Sequence, residues 1–289
     1  MPNSILIDVS RLIWRQWGDR LPTGIDRVCL AYLEHFAPRA RAVIQFRRLR
    51  LILNSADSAR LFDLLLRTPD HFRARLARIV ARAIFRPGRA AKGQLYLNVG
   101  HTGLNSSFLN PWLARNGLKP VILIHDLIPI THPEYCREGE ADRHEQRMAH
   151  ALEGAGAIIL NSRATELELR KFAHDRRLPM PPCVVAWLGV GVTSSAPIPE
   201  TRPSDRPYFV MVGTIEARKN HWLILQVWAE LVSRLGAKAP ELVIIGQRGW
   251  EADAAIAILD NLGPLSGHVR ELGRCDDESM ERLIAGAQA

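Results

Sequence analysis

The chain has 289 residues, 47% of them hydrophobic and 24% charged, which suits a globular protein of two domains or one large one and excludes a disordered, collagen-like or disulfide-stapled chain. Its most apolar runs, at 121–124 and 242–246, fall far short of the roughly 20 residues that span a bilayer. Asp8 and Arg11 also break the apolar opening that a signal peptide needs, so a cytoplasmic protein is expected. Cys29, Cys136, Cys183 and Cys275 stand far apart without a CxxC pair, suggesting neither a zinc site nor a disulfide framework. The net charge of +8 is uneven: residues 1–192 carry 28 Lys and Arg against 17 Asp and Glu, residues 193–289 carry 10 against 13, and residues 39–92 alone hold 14 against 3. So positive a segment favours anionic partners.

An apolar strand opens the chain at Ile5-Leu6-Ile7. A loop containing Arg, Trp and Gly is expected from there to Thr23-Gly24. The helix after it shows a face of Ile25, Val28, Ala31, Tyr32 and His35, spaced by three and four. Further strands are expected at 42–46, 94–99, 120–124, 157–160 and 183–187. Several are apolar throughout and alternate with helical patterns, as in a parallel sheet covered on both faces. Residues 193–206, within a stretch carrying four prolines between Thr193 and Pro207, read as an exposed linker. Alternation then restarts: strand 208–212, helix 220–235, strand 242–245, helix 251–262, strand 269–272, helix 278–287. The expected class is α/β, with two Rossmann-like domains over 1–192 and 207–289 and parallel sheets in both.

The sharpest motif, Gly213-Thr214-Ile215-Glu216-Ala217-Arg218-Lys219-Asn220, lies between a strand and the helix that follows it. Ligands of such sheets bind beyond the carboxyl ends of strands, where a helix N-terminus offers free N–H groups to an anion. Arg218 and Lys219 add two cations there, and a diphosphate is the natural guest; an ordinary basic turn is the competing account. His125-Asp126 closes the strand at 120–124, and His101 follows the one at 94–99, both at edges where sites form. A His-Asp pair capping a loop explains the former letters equally well. Thr23-Gly24 opens a helix either as a close-approach point for a ligand or as a plain N-cap. Gly246-Gln247-Arg248-Gly249 is a second strand-to-helix turn.

Taken together, GTIEARKNH, LVIIGQRGWE and VRELGRCDDESMERLIAGAQA resemble the donor-binding domain of family 4 glycosyltransferases with the GT-B fold. TGIDRV, HDLIPITHPEY and AIILNSRATELEL resemble bacterial members that build polysaccharides or lipopolysaccharides. The resemblance implies retaining hexosyl transfer from a nucleotide-sugar donor to a glycan or lipid-linked acceptor. It places Arg218, Lys219 and Gly213 at the donor diphosphate, and Gly24, Gly246 and Gln247 near the nucleotide or sugar. His125 and Asp126 fall at the reacting centre and His101 toward the acceptor. No metal or other cofactor is implied, and no DxD motif stands in a plausible loop. The family's usual continuation, with a strand ending in Pro-Ser, an EGFG-like loop and two glutamates separated by seven residues, is missing. The second domain is therefore expected to be incomplete, with an unpartnered edge on strand 208–212, and a non-catalytic remnant or binding module is the alternative function. A nicotinamide oxidoreductase is disfavoured because neither glycine turn reads GxGxxG.

The stretch 70–86, DHFRARLARIVARAIFR, reads as a basic amphipathic helix. It could pack on the core with a solvated basic face, or lie on an anionic membrane surface and attach the protein peripherally to the inner face. Nucleic-acid binding is not expected, since no base-stacking platform or groove-reading motif accompanies the charge.

Overall fold

The computed structural model describes residues 5–20, 22–67, 71–189 and 206–289. All but Arg206 of the expected linker therefore lies outside the described residues, as does Asp70. The chain divides into two compact units, one formed by Met1–His132 with Gly139–Leu188 and the other by Pro133–Glu138 with Gly189–Ala289.

In chain order the first unit contains β1 (Ile5–Asp8), α1 (Ser10–Trp17), α2 (Gly24–Phe36), β2 (Ala40–Phe46), β3 (Leu49–Ile52), α3 (Ser55–Arg67), α4 (Phe72–Phe85), β4 (Leu95–Asn98), α5 (Leu109–Arg115), β5 (Lys119–Ile124), α6 (Ile128–Thr131), α7 (Glu140–Gly154), β6 (Ala157–Leu160), α8 (Arg163–Asp175) and β7 (Cys183–Val185). Its seven strands run in the order β3-β2-β1-β4-β5-β6-β7. All neighbours are parallel except the β2–β3 hairpin. The alternation of side chains in β1 explains why the strand is apolar throughout. Ile5 and Ile7 face a core built with α1, α2, α3 and α4, while Leu6 faces the opposite core, where Tyr96 and Ile122 meet α5, α7 and α8.

The second unit contains β8 (Tyr208–Val212), α9 (His221–Leu235), β9 (Glu241–Ile245), α10 (Asp253–Asp260), β10 (Val269–Leu272) and α11 (Asp277–Gly286). Its three strands are parallel in the order β10-β9-β8. Leu242 and Ile244 pack with Leu225 and Trp228 on one face, and Val243 and Ile245 with Tyr208 and Leu283 on the other.

Four sequence expectations need correction. Residues 10–17 are helical, not loop: Leu12 and Ile13 are buried, but Arg11, Arg15 and two exposed tryptophans masked the periodicity. β3 was not expected, since its hairpin turns at Arg47, in the left-handed region at φ 52°, without the Gly, Asn or Asp that advertises such a turn. The edge of β8 is not bare either. The Gln288 amide donates to the Tyr208 carbonyl at 2.8 Å and the Val210 amide to the Ala289 carbonyl at 2.9 Å, so the last two residues lie along it. Finally, Leu76, Ile79 and Ala83 of α4 are buried in the first core, with Phe72 and Val80 packed against it. That stripe is occupied within the protein and is not available to a bilayer; Arg75, Arg78, Arg82 and Arg86 stay exposed.

Candidate functional site

In the second unit the loops that leave β8 and β9 are fastened together. The Gly213 amide donates to the Ile245 carbonyl at 2.9 Å, the Ile215 amide to Gln247 at 2.9 Å, and the Gly249 amide to Ile215 at 2.9 Å. A Cβ on Gly246 would stand 1.9 Å from the Gly213 carbonyl oxygen, so that position admits glycine alone. The structure thus brings Gly213, Gly246 and Gln247 together, with Gly246 there for close approach of backbone. Beyond them Asn220, left-handed at φ 53°, N-caps α9 by accepting the Leu223 amide on its side chain. That geometry leaves the first turn of α9 facing the loop, with its unsatisfied amides and positive dipole end.

The cations in these loops are not equivalent. Arg218 pairs with the buried carboxylate of Glu216 at 2.6 Å. Arg248 is held by both oxygens of Glu271 at 2.8 Å and by Asp260 at 2.7 Å. Lys219 is exposed and has no carboxylate within reach among the described residues; its Cε lies 3.9 Å from where a Cβ on Gly213 would be. Next to it His221 is buried, with neither ring nitrogen hydrogen-bonded. Burial and then the Lys219 charge hold its pKa below the usual imidazole value.

In the first unit a cluster of histidines lies at the carboxyl ends of the adjacent strands β4 and β5, which supply His101 and His125, and is completed by His144 of α7. The rings of His101 and His125 lie 5.1 Å apart and those of His101 and His144 6.1 Å apart. Each Nε2 meets a backbone carbonyl: His101 that of Leu123 at 2.8 Å, His125 that of Val99 at 2.8 Å, and His144 that of Asp126 at 3.0 Å. A carbonyl only accepts, so the proton of each neutral ring sits on Nε2 and the lone pair on Nδ1. Burial lowers all three pKa values, and for His101 the other two imidazoles lower it further. The cluster is therefore neutral near pH 7 and offers acceptors to hydroxyl groups. His101 sits at φ 59°, a conformation costly for a residue with a Cβ. Asp126 turns its Oδ1 back onto the Ile128 amide at 3.2 Å, the loop-capping geometry.

Gly24 joins this edge through its neighbours. Asp26, buried, completes a capping box with Thr23 and holds Arg11 at 2.6 Å and Arg15 at 3.0 Å. Arg11 in turn lies against Gly100, and its charge reaches His125. A Cβ on Gly24 would meet nothing within 4 Å, so packing does not demand glycine there. His144, Arg11 and Asp26 were not singled out in the sequence. Nor was a buried network in which Asp8 accepts from Gln45 at 2.6 Å and from the Tyr96 hydroxyl at 2.8 Å, with its carboxyl pushed up by burial. Among the described residues no group of three His, Cys, Asp or Glu could hold a metal ion, and no helix is long and apolar enough to cross a membrane.

No family model matches the chain. It is 26% identical to the serotype-specific mannosyltransferase WbdA of Escherichia coli over 181 residues, covering 58% of this chain and 22% of the relative. The chain thus spans about a fifth of the curated relatives it matches. Among solved structures it is similar to Anabaena Alr3699/HepE in complex with UDP, with a TM-score of 0.58 and 14% identity over 99% of this chain and 72% of that one. The complex of HepE with UDP-glucose gives 0.57 and 13% over 98% and 71%. These likenesses establish the fold, which is of the GT-B type, and not the chemistry.

Proposed function

We propose that the chain is a glycosyltransferase that moves a hexosyl group from a nucleotide-sugar donor to a glycan or lipid-linked acceptor with retention of configuration. Lys219 is the observation that carries this reading. It is a cation without a carboxylate partner among the described residues, set beside a glycine turn and the N-terminus of α9, where the neighbouring arginines are already neutralised. When a glycosidic bond to a diphosphate breaks, negative charge grows on the departing oxygens, and a fixed cation with aligned amides favours that state over the intact donor. Arg218 contributes through the guanidinium nitrogens that Glu216 does not hold. In the first unit the neutral Nδ1 of His125 would accept from a sugar hydroxyl and so orient the reacting group, and His101 would do the same on the acceptor side; the Nε2 contacts that leave both Nδ1 atoms as acceptors support this. The mannosyltransferase relative and the nucleotide-bound structural neighbours support the donor class.

The test incubates the full chain with labelled UDP- and GDP-hexoses and a mixture of glycan acceptors and follows release of nucleoside diphosphate. Acceptor-dependent release is expected, reduced roughly tenfold or more by Lys219→Ala, on the scale of one charge-assisted contact. A chain that binds the nucleotide but never releases it would be a binding module instead.

A further inference from the structure

Outside these loops the first unit carries a strip of aromatic rings under arginines. Trp14 and Trp17 stand one turn apart on α1. Trp14 meets Phe46, at the end of β2, with ring centroids 5.4 Å apart. Three guanidiniums lie over rings: Arg73 over Trp17 at 5.3 Å, Arg47 over Phe46 at 5.5 Å and Arg48 over Phe108 at 4.8 Å. The four rings remain 41–47% exposed. None of these three arginines pairs with a carboxylate among the described residues, whereas Arg11, Arg15, Arg60 and Arg67 do. α1, the β2–β3 turn and the segment before α5 all leave the sheet at its carboxyl end, the end that carries His101 and His125.

We propose that this strip binds an anionic oligosaccharide, one whose sugars bear carboxylate or phosphate groups. The ring of Trp14, 44% exposed and with no guanidinium over it among the described residues, can take the apolar C–H face of a sugar ring. Stacked on their rings, Arg47 and Arg48 keep their in-plane N–H forks for a carboxylate or phosphate, while Arg73 already donates one N–H to the Trp17 carbonyl at 2.8 Å. A bilayer contact asks instead for apolar side chains clear of fixed cations, and here three of the four rings lie beneath guanidiniums. The proposal rests on the glycosyltransferase reading only in making this guest the growing acceptor chain; the binding itself needs no turnover.

The full chain is titrated with an oligogalacturonate and with a neutral malto-oligosaccharide of equal length, following tryptophan fluorescence. The acidic saccharide is expected to bind at least about tenfold more tightly and to lose about tenfold between roughly 50 and 500 mM salt, as screened charge pairs do. Arg47→Asn with Arg48→Ser, two exposed turn residues, should abolish most of that preference without lowering the melting temperature. Lys219→Ala should leave it unchanged, which separates failure of this proposal from failure of the donor site. Equal affinity for both saccharides, or no effect of the double variant, overturns the proposal. So does binding of phosphatidylglycerol vesicles or a single-stranded oligonucleotide that the double variant abolishes while the acidic saccharide is ignored.

Discussion

Lys219 and Arg218 are neighbours in the chain yet differ in what they are free to do. Arg218 must share its guanidinium with Glu216, whereas Lys219 meets a ligand without breaking an ion pair. Calorimetry should therefore find Lys219→Ala more damaging to nucleoside diphosphate affinity than Arg218→Ala; the reverse order would mean that Glu216 releases its partner on binding. The histidines give a second expectation. Because their folded pKa values lie below the usual 6.5, the unfolded chain binds more protons as pH falls, and stability rises with pH up to about that value. Their contribution is whole above 6.5 and is lost as pH falls below it toward the native pKa values. The first unit should thus melt at lower temperature at pH 5.5 than at 7.5, and His101→Gln should flatten that difference; an unchanged slope would show that His101 is not held neutral by burial. The sequence exposed His125 and His101 because each directly follows an apolar strand. It could not expose His144 or Asp26, whose partners lie 18 and 15 residues away and meet them only once helices pack.

At the scale of elements, α4 shows how one pattern supports two readings. A basic amphipathic helix has the same letters whether its apolar face meets a sheet or a membrane, and here Leu76, Ile79 and Ala83 meet the core. Leu76→Ala should cost about 2–5 kcal/mol in urea unfolding, as buried leucines do, while Arg78→Ser on the exposed face should stay within about 0.5 kcal/mol. Comparable losses from both would place the stripe elsewhere. The parallel strands were legible because burial on both faces makes them uniformly apolar. β3 was hidden because an antiparallel edge strand with a turn at Arg47 carries none of the usual turn residues, and α1 because only part of its surface is apolar. Gly246 shows what sequence cannot convey about a glycine: the Gly213 carbonyl fills the space a Cβ would need, so backbone packing alone demands glycine there.

For the molecule as a whole, composition placed the excess of positive charge in the first half, and the structure distributes it between α4, the β2–β3 turn and the strip of stacked arginines. The linker expected over 193–206 lies outside the described residues, and a division into donor and acceptor domains is part of the functional proposal. The central claim is that the loop after β8 receives a nucleoside diphosphate. Isothermal titration of the full chain with UDP and with GDP tests it most directly. One of them should bind, with the affinity weakened by roughly one to two orders of magnitude in Lys219→Ala, on the scale of one charge-assisted phosphate contact, and unchanged in Arg47→Asn. If Lys219→Ala binds as tightly as the parent chain, or if neither nucleotide binds at millimolar concentration, the assignment of this loop is wrong.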